Sequence, residues 1–183
     1  MGVNLPLRRL WFLGFLIVAS NAFALIPIQG AALRGLSAME ARRKLLDEAE
    51  SYLGTRYRYG GIDSNGMDCS GLVYASFKNS LNCSTPRTAS GIYDWTEKID
   101  RADIRPGDLV FFATVGTRIS HVGIYVGRNV FIHSASEGPS KGVIYSRLEE
   151  SYWNRTYKGA GRAIPWKEEG DFNCNLMPEE LLY

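Results

Sequence analysis

Histidine is nearly absent from this 183-residue chain: His121 and His133 are its only two. A mechanism or metal site that needs three imidazoles is therefore excluded. Net charge is lacking as well. Twenty-one Lys and Arg face 19 Asp and Glu, and Arg8 and Arg9 sit in a leader, so residues 25 to 183 carry 19 charges of each sign. No basic field remains to hold a polyphosphate, which makes nucleic acid an unsuitable partner. Cysteine is confined to Cys69, Cys83 and Cys174, without a Cys-x-x-Cys pair or zinc spacing. The residues call for no metal and no other cofactor. Repeats and low-complexity blocks are missing too. What remains, 45% apolar and 12% aromatic, is the composition of one ordinary globular domain.

Residues 1–24 have the parts of a secretory signal. Arg8 and Arg9 supply positive charge, Leu10 to Ala19 an apolar run, and Ala22-Phe23-Ala24 an A-x-A cleavage pattern. The run is too short to span a bilayer unless it extends past Asn21 and Pro27. Cleavage after Ala24 is expected. The exported protein should then be a soluble monomer in a periplasm or cell envelope, or secreted, touching membrane only through an uncut leader. An odd number of cysteines in an oxidising compartment leaves one thiol unpaired.

Residues 25–36 read as a linker. Ser37-Ala38-Met39-Glu40 is a capping box. The helix it opens puts Ala41, Leu45, Ala49 and Tyr52 or Leu53 on one face, with Arg42, Arg43, Asp47 and Glu48 mostly elsewhere. Gly54 is a suitable stop. A turn-rich stretch leads to Cys69, where Leu72, Val73, Ala75, Ser76 and Phe77 lack alternation and so fit a buried helix. The second half changes character. Runs starting at Asp108, His121, Val130, Val143 and Gly159 are short, β-branched or aromatic, and punctuated by Gly and Asn. Helices followed by strands predict an α+β domain over residues 37–165, with N-terminal helices packed on a central antiparallel sheet. Residues 166–183, polar and acidic, read as a surface tail.

Cys69 lies in Asp68-Cys69-Ser70-Gly71, at the expected first turn of its helix. Free N–H groups and the macrodipole there favour a thiolate, so a lowered thiol pKa is expected. His121 and His133 flank one expected hairpin with its turn near Gly127-Arg128-Asn129. A turn centred on Arg128 pairs residue 123 with 133 and puts both imidazoles on one face. A two-residue turn of Arg128-Asn129 puts them on opposite faces. On a shared face, one imidazole can activate the thiol while the other fixes its orientation. That mechanism predicts an odd residue count in the turn.

Several segments in the same order resemble the NlpC-type family of bacterial cell-wall peptidases. They are Asp68-Cys69-Ser70-Gly71, Pro106-Gly107-Asp108-Leu109-Val110-Phe111-Phe112, His121-Val122-Gly123-Ile124-Tyr125-Val126-Gly127 and Phe131-Ile132-His133-Ser134. The resemblance runs from about Leu45 to Ile164. It implies a papain-like fold and cleavage of peptide bonds in peptidoglycan stem peptides. It also implies Cys69 as nucleophile, His121 as general base and His133 as the orienting residue. Tyr57, in Tyr57-Arg58-Tyr59-Gly60-Gly61, matches a tyrosine near the oxyanion, and Asp68 and Ser70 match residues that often touch substrate. Read from the residues alone, Asp68 fits a helix N-cap better, and Pro86-Arg87-Thr88 fits a loop anchor. With no wall-anchoring module in view, the chain looks like the stand-alone, single-domain branch.

The expected activity is therefore that of an exported cysteine endopeptidase, a hydrolase working through a thioester, with stem peptides as partner. An amidase cutting the muramyl–L-alanine bond uses the same triad. A catalytically idle wall-binding module would gain nothing from a thiol beside two imidazoles. Because Cys69 must stay reduced to act, a bridge is expected between Cys83, in a polar loop, and Cys174. Closing a loop of about 90 residues, it would contribute roughly 4 kcal/mol.

Overall fold

Ser37 and Glu40 cap the first helix reciprocally: the Ser37 hydroxyl accepts from the Glu40 N–H at 3.3 Å, and the Glu40 carboxylate accepts from the Ser37 N–H at 3.1 Å. Around this start the computed structural model describes residues 1–2, 36–138, 141–165 and 171–172. Most of the leader, the linker and the tail lies outside the described residues. The elements are β1 (Leu36–Ser37), α1 (Ala38–Ser51), β2 (Ile62–Asp63), β3 (Gly66–Met67), α2 (Cys69–Leu81) and α3 (Ala89–Trp95). There follow β4 (Glu97–Ile99), β5 (Leu109–Phe112), β6 (His121–Gly127), β7 (Val130–Ala135), β8 (Gly142–Arg147), α4 (Ser151–Thr156), β9 (Tyr157–Arg162) and β10 (Asp171–Phe172).

The helices-then-strands pattern resolves into one six-stranded antiparallel sheet in the order β4-β9-β5-β6-β7-β8. The alternation of each strand sorts two cores. Leu109, Phe111, Val122, Ile124, Ile132 and Val143 face the helices, where they meet Leu45, Leu72, Phe77 and Ile92. Val110, Phe112, Tyr125, Phe131 and Ala160 form the opposite face, covered by Trp153 and Tyr157. The last main strand starts at Tyr157, two residues before the expected Gly159. Two short helices, α3 and α4, had no strong period in the sequence. Thr88 caps α3 by accepting from the Gly91 N–H at 3.0 Å.

Arg42 departs from expectation. It is buried, at 4% exposure, because its guanidinium reaches Asp108, itself fully buried. The Asp108 carboxylate accepts from Arg42 at 2.8 Å, from Arg162 at 2.8 and 3.0 Å, and from the Arg105 N–H at 2.8 Å. Arg42 also donates to the carbonyls of Pro106, at 2.7 Å, and Ile164. Burial lowers the Arg42 pKa and the Asp108 charge opposes that shift. The network fastens α1 to the start of β5 and the end of β9.

Cys83 also differs from its expected polar surroundings. It follows the left-handed Asn82 that ends α2 and is 1% exposed, packed in the helix-side core. It is disulfide-bonded, and Cys69 is free. Cys174 lies outside the described residues. Within the stretch read as a tail, Asp171–Phe172 pairs with Leu36–Ser37 as an antiparallel strand.

Candidate active site

The hairpin between β6 and β7 turns on two residues, Arg128 and Asn129, both with positive φ (52° and 61°), so the expected odd count is not met. Such a turn matches the right-handed twist of the strands. Alone it would put the two imidazoles on opposite faces. The register, however, shifts between Tyr125, opposite Phe131, and Gly127, opposite Val130. That bulge adds the missing residue and restores the parity. Both imidazoles share a face, and His121 Nε2 lies 2.9 Å from His133 Nδ1.

Gly123 makes this contact possible. A Cβ there would meet Phe131 Cδ2 at 2.6 Å and the Ile132 carbonyl at 3.0 Å, so only glycine leaves room for the ring and for His133 across the strand. The chain of contacts continues to β8, where His133 Nε2 lies 3.1 Å from Ser146 Oγ. Trp153 of α4 roofs the pair. Its ring stacks on His121 (5.3 Å between centroids, 28°) and meets His133 edge-on (4.7 Å, 73°). His121 is 6% exposed and His133 fully buried. Burial pushes the His121 pKa down to about 4, and burial with the neighbouring His121 holds His133 well below the usual imidazole range.

Two neutral rings in series set a direction. Each has one N–H and one lone pair. When Ser146 accepts from His133 Nε2–H, His133 Nδ1 accepts from His121 Nε2–H, and His121 Nδ1 is left as a base. Reversing any link removes that lone pair.

Cys69 is the first residue of α2, and the N–H groups of Val122, Ser70 and Cys69 itself stabilise its thiolate. Val122 adjoins His121, so the helix start meets the head of β6. The expected lowering of the thiol pKa is nevertheless absent. Burial outweighs those donors, Asp68 adds to the rise, and the thiol is pushed up to about 11. Desolvation of a thiolate exceeds what the helix start returns. Cys69 as a residue keeps partial exposure.

Asp68 and Ser70 use their polar atoms within the protein. The Asp68 carboxylate caps α2 through the Gly71 N–H (2.6 Å), accepts from the Gly60 N–H (2.7 Å) and pairs with Arg87 (3.5 Å). Ser70 Oγ lies 2.8 Å from the Arg87 carbonyl and 3.0 Å from Asp68. Arg87 thereby anchors the loop after α2, as expected for Pro86-Arg87-Thr88. Gly71 is fixed by contact, since a Cβ there would lie 1.9 Å from the Gly61 carbonyl oxygen. Tyr57 bridges to Met67 and is half-buried. Burial raises its pKa first, with the Cys69 and Asp68 charges adding, so its hydroxyl is a donor at neutral pH.

Ser146 and Trp153 escaped the sequence reading. Ser146 was findable: with β8 paired to β7, it opposes Phe131 and shares the face of His133. Trp153 had no comparable signal, because a six-residue helix shows too little periodicity.

Residues 54–162 match the family model of the NlpC/P60 family. A murein DD-endopeptidase MepS/murein LD-carboxypeptidase of Escherichia coli K12 is 35% identical over 126 residues, which is 69% of this chain and 65% of that protein's own length. A probable endopeptidase NlpC from the same organism is 40% identical over 119 residues, covering 64% of this chain and 75% of the relative. Among solved structures, an NlpC/P60 family protein from Bacillus cereus superposes with a TM-score of 0.61 at 28% identity, over 68% of this chain and 40% of its own. One from Staphylococcus aureus gives 0.59 at 35%, over 69% and 42%.

Proposed function

The chain belongs to the NlpC/P60 family, and on that premise we propose that it is an exported cysteine peptidase hydrolysing peptide bonds in peptidoglycan stem peptides or their cross-links. The observation that carries this reading is the line of contacts from Ser146 through His133 to His121, whose chain neighbour Val122 turns its N–H to a free thiol at a helix start. The murein endopeptidase named among the relatives supports the substrate class. The leader pattern in residues 1–24 supports export. Among the described residues no helix is long and apolar enough to cross a membrane.

The resting pair is neutral, with thiol and imidazole both uncharged near pH 7. Attack and proton transfer therefore go together: Cys69 adds to the amide carbonyl as its proton passes to His121. The N–H groups at the α2 start, with the Tyr57 hydroxyl, face the developing oxyanion. His121 then returns the proton to the departing amine, leaving a thioester that water hydrolyses. His133 and Ser146 act behind the base by holding its tautomer. Trp153 keeps water from the rings and favours the transient imidazolium with its π face.

Incubating the purified protein with defined muropeptides and weighing the fragments tests the proposal. Cleavage within the stem or cross-link supports it. Release of an intact stem from muramic acid would make the enzyme an amidase, and no cleavage by an intact, reduced protein would remove the peptidase reading.

A further inference from the structure

Ser134 is fully buried on β7, next to His133 in the chain, so its side chain takes the opposite face of the sheet. Its hydroxyl donates to the Met67 carbonyl at 2.7 Å. That carbonyl also accepts from the Arg58 N–H at 3.2 Å. One oxygen thus gathers three segments of the site. Met67 lies just before Asp68-Cys69, Arg58 follows Tyr57, and Ser134 follows His133.

The β2–β3 hairpin that leads to Cys69 stands apart from the six-stranded sheet. Upstream of it, Gly54 and Thr55 bond to Val143 of β8. Among the described residues, the Ser134–Met67 bond is then the one hydrogen bond that joins residues 56–68 to that sheet. Satisfying the backbone does not require it. With alanine at this position the Met67 carbonyl keeps Arg58, and no polar group is orphaned. Burying a hydroxyl also costs free energy that its bond returns only in part, so stability alone does not account for the serine. What the hydroxyl adds is a fixed distance between β7 and the segment that carries the nucleophile. Adjacent residues of one strand address the two halves of the site: His133 meets His121 at 2.9 Å, and Ser134 holds Met67.

We propose that Ser134 is a positioning residue, whose bond to the Met67 carbonyl holds Cys69 and Tyr57 in register with the His121–His133 pair. The inference rests on the cysteine-peptidase reading above. Ser134 is fully buried and does not line the cavity of about 550 Å³ beside His121, so it touches no substrate. Loss of its hydroxyl should therefore act on the chemical step and leave binding alone.

The test is steady-state hydrolysis of a defined muropeptide by wild type, Ser134→Ala, Ser134→Thr and Ser134→Val, with melting temperatures measured alongside. Ser134→Ala should lower kcat by about ten- to 100-fold at unchanged KM, the scale of a displacement of about 1 Å between reacting groups. Ser134→Thr and Ser134→Val have nearly the same shape and differ in the hydroxyl. The kcat of Ser134→Thr should exceed that of Ser134→Val by a similar factor. If the added methyl groups unfold both, Ser134→Ala decides by itself, because it crowds nothing and orphans nothing. A lowered melting temperature with wild-type kcat, equal kcat in Ser134→Thr and Ser134→Val, or a loss confined to KM would overturn the assignment. A wild type that cleaves no muropeptide would overturn the proposed function first, and this inference with it.

Discussion

Ser146→Ala removes the acceptor 3.1 Å from His133 Nε2 and leaves both imidazoles and the sulfur in place. Ser146 is 8% exposed and His133 is fully buried, so bulk water does not reach the vacated position. An N–H left without a partner there costs about 1–3 kcal/mol. His133 escapes that cost by moving its proton to Nδ1, which then confronts His121 Nε2–H across 2.9 Å. His121 must in turn move its proton to Nδ1 and lose the lone pair that we propose accepts from the thiol. Either route disfavours the productive tautomer by about 1–3 kcal/mol, which is about five- to 150-fold in kcat. KM should stay nearly constant, because Ser146 does not line the cavity beside His121. The assay is steady-state hydrolysis of a defined muropeptide, with melting temperatures measured alongside and Ser146→Thr as the variant that keeps the hydroxyl. Restored kcat in Ser146→Thr is the expected outcome. A merely structural role would lower the melting temperature and leave kcat unchanged, and wild-type kcat in Ser146→Ala would refute the relay.

Asp108→Asn should destabilise the fold by about 3–5 kcal/mol in urea unfolding, because Arg42 stays buried without its counter-charge. A loss under about 1 kcal/mol would contradict that role. Alkylation of Cys69 by iodoacetamide in the folded protein should accelerate up to about pH 11, since a thiol at about 11 is about one part in ten thousand thiolate at pH 7. A rate already level below pH 7 would show a standing thiolate–imidazolium pair and refute the neutral resting state. Counting thiols in the denatured, unreduced protein should give one, mapping to Cys69; three would contradict the bridge at Cys83.

Local signals in the sequence carried far. The Ser37–Glu40 box, the helix start at Cys69 and the short β-branched or aromatic runs each follow from a few adjacent residues, and each is present. The shared face of His121 and His133 was reached by a different route from the one expected. Turn length and bulge enter the parity together, and only the turn leaves a residue signal in Arg128-Asn129. Burial of Arg42 was illegible because its partner Asp108 lies 66 residues away. The thiol pKa failed for a similar reason: the helix start is local, but the desolvation that outweighs it comes from the packed fold. Ser146 and Trp153 stand outside every motif, and tertiary contact alone gives them a place beside the imidazoles.

The central claim is that Cys69 attacks with His121 moving its proton. The most direct measurement compares wild type, Cys69→Ala and His121→Ala on purified muropeptides, with fragments weighed and each fold checked by circular dichroism. The wild type should yield two fragments that together weigh one water more than the substrate, while both variants stay folded and near background. His133→Ala should retain more activity than either, because it orients the base and does not react. Full hydrolysis by Cys69→Ala would contradict the account.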